Sequence, residues 1–263
     1  MPHFLLDKRL LNVTVTEELL VSLNTLFESR WHQALKKEEN KPDKDNFLLS
    51  YVIRFDEKGY KVFSIEELLK HFNEGKKIER IICTLESFES IKTNRQNGSV
   101  VEIRLDSQDQ NSCFLTISSN DNSWVDTSYS EFTNAIFSHK NFNGIARNEW
   151  TSLLIQIFGV SLGFLLSLWA ATKISPSLNV ENSFIISFLF FLLIFSNTWT
   201  YLNRKLFEWI NRLFPNLKFY RPQKDRLHWL IQATIGGISS VLALYILNLL
   251  FTYLKNIVEQ LSK

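Results

Sequence analysis

The sequence predicts an α+β domain, an antiparallel sheet with flanking helices over residues 1–140, followed by an all-α membrane domain with three transmembrane helices. Three observations carry this. The charge is split: residues 1–149 hold 19 Lys+Arg against 23 Asp+Glu, a balance of −4, and residues 150–263 hold 10 against 4, a balance of +6. Three windows, 150–172, 182–203 and 227–254, contain no Asp, Glu, Lys or Arg, and each meets the ~20 residues a helix needs to cross a hydrocarbon core. Before residue 140, apolar residues recur at period two in some stretches and at about 3.6 in others, the marks of strands and helices. A charged fraction of 21% with 22 Phe excludes a disordered chain, and two Cys exclude a disulfide scaffold.

Within the N-terminal domain, Thr14-Val15-Thr16-Glu17 has capping-box spacing. Leu19, Leu23, Leu26, Phe27, Trp31 and Leu35 then repeat at helical period, and the charged stretch 36–45 makes a loop. Phe47, Leu49, Tyr51, Ile53 and Phe55 alternate as a strand, Asp56-Glu57-Lys58-Gly59 turns the chain, and residues 60–63 return as a hairpin arm. Ser64-Ile65-Glu66-Glu67 is a second capping box, opening a helix that Gly75 stops. Strands at 81–88, 100–105 and 113–118 follow as an antiparallel meander, with Asn97-Gly98 and residues 106–112 as turns. Ser128-Tyr129-Ser130-Glu131 caps a last helix carrying Phe132, Ile136 and Phe137, and residues 141–149 are read as a linker.

In the membrane part, Met1-Pro2-His3-Phe4 shows no basic n-region followed by an apolar h-region, so the first domain is expected on the cytoplasmic side. Loop charge agrees. Arg204, Lys205, Arg212, Lys218, Arg221, Lys224 and Arg226 lie between the second and third windows, and only Lys173 among the basic residues lies between the first two. The positive-inside rule then places the 204–226 segment in the cytoplasm of a multi-pass inner-membrane protein, with the 255–263 tail on the opposite side. Gly159, Gly163, Ser167 and Ala171 form one small-residue stripe, and Ala233, Gly236, Gly237, Ser240 and Ala243 a second. Such stripes let helices approach closely in lipid, within a chain or in a homo-oligomer. Gln156, Asn197 and Gln232 are expected at one depth near the inner mouth of the bundle, as interhelical hydrogen-bond glue or a polar constriction. Asn248 lies deeper. Residues 204–214 are amphipathic at helical spacing up to Pro215, an inner-leaflet helix or a continuation of the second span. The aromatic-basic run Phe219-Tyr220-Arg221-Pro222 reads foremost as headgroup anchoring and second as a docking surface for the cytoplasmic domain.

The chemistry-bearing residues point away from catalysis. There is no Gly-rich phosphate loop and no zinc spacing, and Cys83 and Cys113 read as buried structural thiols. His32, His71 and His139 belong to no paired motif. Asp106, Asp109 and Asp121 read as turn formers, with Asp121-Asn122-Ser123 as the alternative cation or polar-ligand loop. Basic residues alternate with acidic ones, so no nucleic-acid partner is expected, and no cofactor is implied. Apart from His228, read at the interface, the windows carry no acidic or basic side chain of the kind that marks proton relays and ion-coupled transporters. The expectation is a non-enzymatic sensor or effector, for example in bacterial defence. Its cytoplasmic domain would bind a protein or small molecule and couple to an oligomerising, membrane-permeabilising domain in the lipid bilayer. A passive scaffold or adaptor is the second class, and a membrane-surface enzyme with a polar pocket the third.

Overall fold

The computed structural model describes residues 3–37 and 47–221, together with Thr234, Gly237, Val241, Tyr245, Asn248 and Thr252. Met1–Phe219 is one compact unit and Tyr220–Lys263 a second.

The first unit is built on a six-stranded antiparallel sheet in the order β1-β7-β6-β5-β3-β4. Its strands are β1 (Phe4–Arg9), β3 (Phe47–Phe55), β4 (Lys58–Val62), β5 (Ile78–Ser87), β6 (Val100–Asp106) and β7 (Phe114–Ser119). The expected meander is β5-β6-β7, and β1, not foreseen, adds an edge by pairing Phe4 with Ser119 and Arg9 with Phe114. Alternation decides the buried face. Ile53, Ile81, Cys83, Leu85, Val101, Ile103, Leu105, Leu115 and Ile117 point into one core. Over them lie α1 (Glu17–Lys37), α2 (Ile65–Glu74) and α4 (Asn122–Phe137), contributing Leu19, Leu23, Phe27, Leu68, Phe72, Val125, Phe132 and Ile136. Each such side chain contributes about 1.5–3 kcal/mol when fully buried. A short α3 (Phe88–Lys92) follows β5.

Two polar contacts in this core join separate elements. Tyr51 donates its hydroxyl to Asn24 Oδ1 at 2.5 Å, tying β3 to α1, and burial holds its phenol well above the ordinary tyrosine range. Arg30 is buried on α1 and forms an ion pair with Glu131 on α4. At one end of the sheet the register shifts between Arg54 and Phe55, a bulge that frees Glu79 from the ladder. Its carboxylate then accepts from Arg54 Nε at 2.8 Å and from the Glu57 amide at 3.2 Å.

Two caps differ from the sequence reading. Thr16, not Thr14, caps α1, accepting the Leu19 amide at 3.2 Å, because Thr14 is held in a strand. The helix assigned to the Ser128 box begins earlier: Asp121 caps α4 by accepting from the amides of Ser123 and Trp124, and Ser128 is buried in mid-helix. Ser64 caps α2 as expected and Gly75 ends it. Gly75 is needed for space, since its φ is −54° and a Cβ there would meet the Phe55 side chain at 2.9 Å.

Beyond α4 come a one-turn α5 (Asn143–Ala146), then α6 (Glu149–Ile174), α7 (Ser183–Leu213) and a short strand β8 (Leu217–Phe219) that pairs in parallel with β2 (Val13–Val15). Helices α6 and α7 are long and apolar enough to cross a membrane, and most of their large apolar side chains are exposed. The amphipathic stretch 204–213 continues α7 without a break. The third expected span, with Ala233, Gly236, Ser240 and Gln232, lies outside the described residues. The six positions that are described from 234 to 252 are helical and exposed.

The β3-β4 hairpin turns through Asp56 (φ 48°) and Glu57 (φ 66°), with Gly59 already paired to Arg54 in the ladder. Left-handed backbone costs a non-glycine residue roughly 1–2 kcal/mol, and a two-residue turn of this type favours Gly at its second position. Glu57→Gly is therefore expected to stabilise the domain by about 1 kcal/mol, read as a raised denaturant midpoint at unchanged slope.

Candidate functional site

The place where the sheet unit and the α6-α7 hairpin meet is built from carboxamides on three separate stretches of chain. Asn12 sits between β1 and β2 with φ 60°, a conformation Asn adopts more readily than most residues. Its amide donates to Asn216 Oδ1 at 2.9 Å, and its carbonyl accepts the Asn141 amide at 2.7 Å. Asn216 Nδ2 donates to the Leu10 carbonyl at 3.1 Å, and the Asn216 carbonyl accepts the Val13 amide at 3.0 Å. Asn141 also donates to Thr14 Oγ1, and Asn143 Nδ2 donates to the Pro215 carbonyl at 2.9 Å. A short strand, β2, thus has β8 on one side and residues 139–140 on the other. Residues 141–149, expected as a linker, are folded onto this knot. Gly144 packs so closely on Asn12 that any Cβ would strike its carboxamide.

Apolar packing completes the junction. Leu217 is buried in the core, and Phe219 meets Phe72 of α2 edge-on, ring centroids 6.2 Å apart. Of the run 219–222 read foremost as headgroup anchoring, Phe219 is the last residue of a strand docked on the sheet domain.

The hairpin leaves and returns through the junction in a fixed register. Arg147 donates to Asn211 Oδ1 at its base, Gly159 faces Trp199, Gly163 faces Phe195, and Ser175 and Ser183 hydroxyls meet at 2.8 Å at its tip. Each step up α6 is matched by one step down α7. In this register the charge-free windows coincide over residues 155–172 of α6 and 186–203 of α7, a shared length of about 27 Å.

The site residues expected from sequence fall out as follows. A Cβ on Gly159 would lie inside the Trp199 indole, so this position is filled within the chain. Ser167 and Ala171 are buried, and Ser167 donates to the Gly163 carbonyl. Gly163 has Phe195 as its near neighbour at 3.8 Å. Gly237, the described member of the second stripe, is exposed with open space around it. Gln156 and Asn197 are both exposed, and no hydrogen bond between them occurs among the described residues. Gln156 turns to Ser152 on its own helix at 3.4 Å. The register puts Asn197 about 7.5 Å along the helix axis from the level of Gln156.

Other chemistry-bearing groups are used locally. Asp106 is buried and takes Arg80 Nε at 2.6 Å together with the amides of Gln108 and Asp109. The Asp109 carboxyl lies below its ordinary range because the Ser112 hydroxyl and the Asn111 amide donate to it. Cys83 and Cys113 are buried free thiols, and burial pushes Cys83 up to about 12. His71 stacks on Tyr60 with centroids 4.5 Å apart. An open polar cavity of about 770 Å³ is lined by Arg54, Asp56, Glu57, Lys77, Glu79 and Gln108 at the bulged sheet end. Much of its charge is engaged, Arg54 with Glu79 and Asp56 with the amides of Lys76 and Lys77. No group of three His, Cys, Asp or Glu able to hold a metal occurs among the described residues. The junction was missed in sequence because its signal is dispersed: Asn12, Asn141, Asn143 and Asn216 belong to no common motif.

Two expectations follow from this geometry. Asn216→Ala leaves the Asn12 amide and the Leu10 carbonyl without partners and is expected to cost about 2–4 kcal/mol. Amide exchange should then accelerate at Val13 and Phe219 before it changes at Ile103 in the sheet. Gly159→Ala is expected to loosen the hairpin by about 1–3 kcal/mol through overpacking, and Trp199→Ala in the same chain to restore it, measured by denaturation in detergent. No family model, curated protein or solved structure matches this chain, so the residues themselves are the source of any functional reading.

Proposed function

We propose that the chain is an integral membrane protein acting as a non-enzymatic sensor and effector, in which the sheet domain binds a partner and drives the α6-α7 hairpin. One observation carries this reading: both ends of the hairpin are tied to the sheet domain, by Asn141 on Asn12 and Thr14 and Arg147 on Gln110 on the way out, and by Asn216, Leu217 and Phe219 on the way back. An inert anchor needs one attachment, whereas a hairpin gripped at both ends moves when the domain rearranges. The shared charge-free length of about 27 Å is close to the ~30 Å hydrocarbon thickness, and the outward apolar side chains support lipid as their solvent.

On this reading the sheet domain lies in the cytoplasm, on the side of the basic 204–226 segment. Its ligand is a cytoplasmic protein or small molecule, and the response opens the membrane, as in a bacterial defence effector. Self-association through the second small-residue stripe belongs to the same proposal, with Gly237 open to a neighbour. The rival is a scaffold with passive spans. It is favoured by the filling of the Gly159 position by Trp199, which removes one surface for assembly.

The discriminating experiment exchanges residues 150–210 for an unrelated two-helix apolar hairpin of equal length, keeping Arg147, Asn211 and 215–219 so that the junction still folds. Growth and membrane potential are followed on expression. The effector reading expects loss of depolarisation and of the growth defect while amide protection at Val13 and Phe219 persists. Unchanged depolarisation with the foreign hairpin would establish the passive anchor instead.

A further inference from the structure

We propose that Phe142 and Ile145 form a foot that inserts into the interfacial layer of the bilayer on the side of the sheet domain, holding that domain down on the lipid surface. This rests on reading α6 and α7 as spans.

The two side chains are 86% and 66% exposed, on a one-turn helix that is fixed on every side. The Asn141 amide is bound to Asn12, the Asn143 carboxamide to Pro215, the Ile145 carbonyl accepts Thr151 Oγ1 at 2.8 Å, and Gly144 is wedged on Asn12. A mobile loop can hide its apolar groups by moving. This one is pinned, and it holds a Phe and an Ile largely in the open.

The occupant is indicated by what the foot adjoins. Trp150 begins the exposed apolar surface of α6 a few residues later, and Trp209 stands level with it on α7, 73% and 65% exposed. Trp at the ends of apolar spans settles in the headgroup layer. Phe142 and Ile145 precede Trp150 by eight and five residues in the same segment, and with it they form a run of exposed apolar side chains at the domain end of α6. Lys140 and Arg147 belong to the same segment as the two apolar side chains, with Glu149 as its acidic residue, a balance suited to anionic headgroups.

The test uses the full chain in nanodiscs of zwitterionic and anionic phospholipid. An environment-sensitive fluorophore is placed on Phe142→Cys, on Ile145→Cys and on Leu193→Cys in mid-α7, with the native buried thiols left in place. The foot expects blue-shifted emission at all three sites, quenched by brominated lipid and sheltered from aqueous iodide. Quenching at Leu193 with water-exposed emission at both 142 and 145 overturns the foot and leaves the spans standing. No bromolipid quenching at Leu193 overturns the spanning reading and the foot with it. Shelter from iodide at 142 and 145 without bromolipid quenching assigns the patch to a second copy of the chain and also overturns the proposal.

Discussion

The Asn216 carboxamide accepts from the amide of Asn12 on one side and donates to the carbonyl of Leu10 on the other, and the return of the chain from α7 to the sheet domain is seated through that pair of bonds. Its backbone carbonyl then takes Val13, so one residue satisfies three groups of the β1-β2 connection. Buried peptide groups without partners cost about 1–3 kcal/mol each. An apolar residue at 216 would leave the Asn12 amide and the Leu10 carbonyl without this partner. Once Asn216 is seated, Leu217 falls into the core and Phe219 reaches Phe72.

The same constraint changes what the basic segment after the second apolar helix is for. Residues 204–214 were open to two readings, an inner-leaflet helix or a continuation of the second span, and α7 is continuous through Leu213, 31 residues in all, about 46 Å at 1.5 Å per residue. The chain then folds back as a strand. Arg204 and Lys205 remain on the helix near the end of the charge-free stretch, and Lys205 pairs with Glu208 one turn on. The sheet domain therefore contains residues that follow the hairpin, and the two parts are interleaved in sequence.

Local pattern made much of the sheet domain readable. β3 runs over the alternating residues Phe47 to Phe55, and α2 lies between Ser64 and Gly75. Failures came where local signals competed. Thr14 and Ser128 both have the Ser/Thr-x-x-Glu spacing, but one is held in β2 by its neighbours and the other is buried inside α4, and Thr16 and Asp121 cap instead. β1 was missed because Phe4-Leu5-Leu6 followed by Asp7-Lys8-Arg9 does not alternate; tertiary pairing with β7 makes it a strand. The junction was least legible, since its asparagines are separated by up to 204 residues, as between Asn12 and Asn216. The small-residue stripe was visible at Gly159, but its partner, Trp199, is set by the hairpin register, which no single window contains.

That register bears on how a signal would pass. The hairpin is fixed at its tip by Ser175 and Ser183, at its base by Arg147 and Asn211, and between them by Gly159 under Trp199. Sliding one helix against the other by a single residue would break all of these together, so the pair moves as one body. At the domain end, withdrawing β8 from β2 removes the Asn216 bonds and exposes Leu217 in the same step. Burial of one Leu contributes about 1.5–3 kcal/mol, and each hydrogen bond about 0.5–1.5 kcal/mol net. These contributions are lost together or kept together, because β8 has only three residues and no part of it can detach alone. On the proposed sensor reading, a partner acting around Asn12 would meet β8 as a single unit, docked or released.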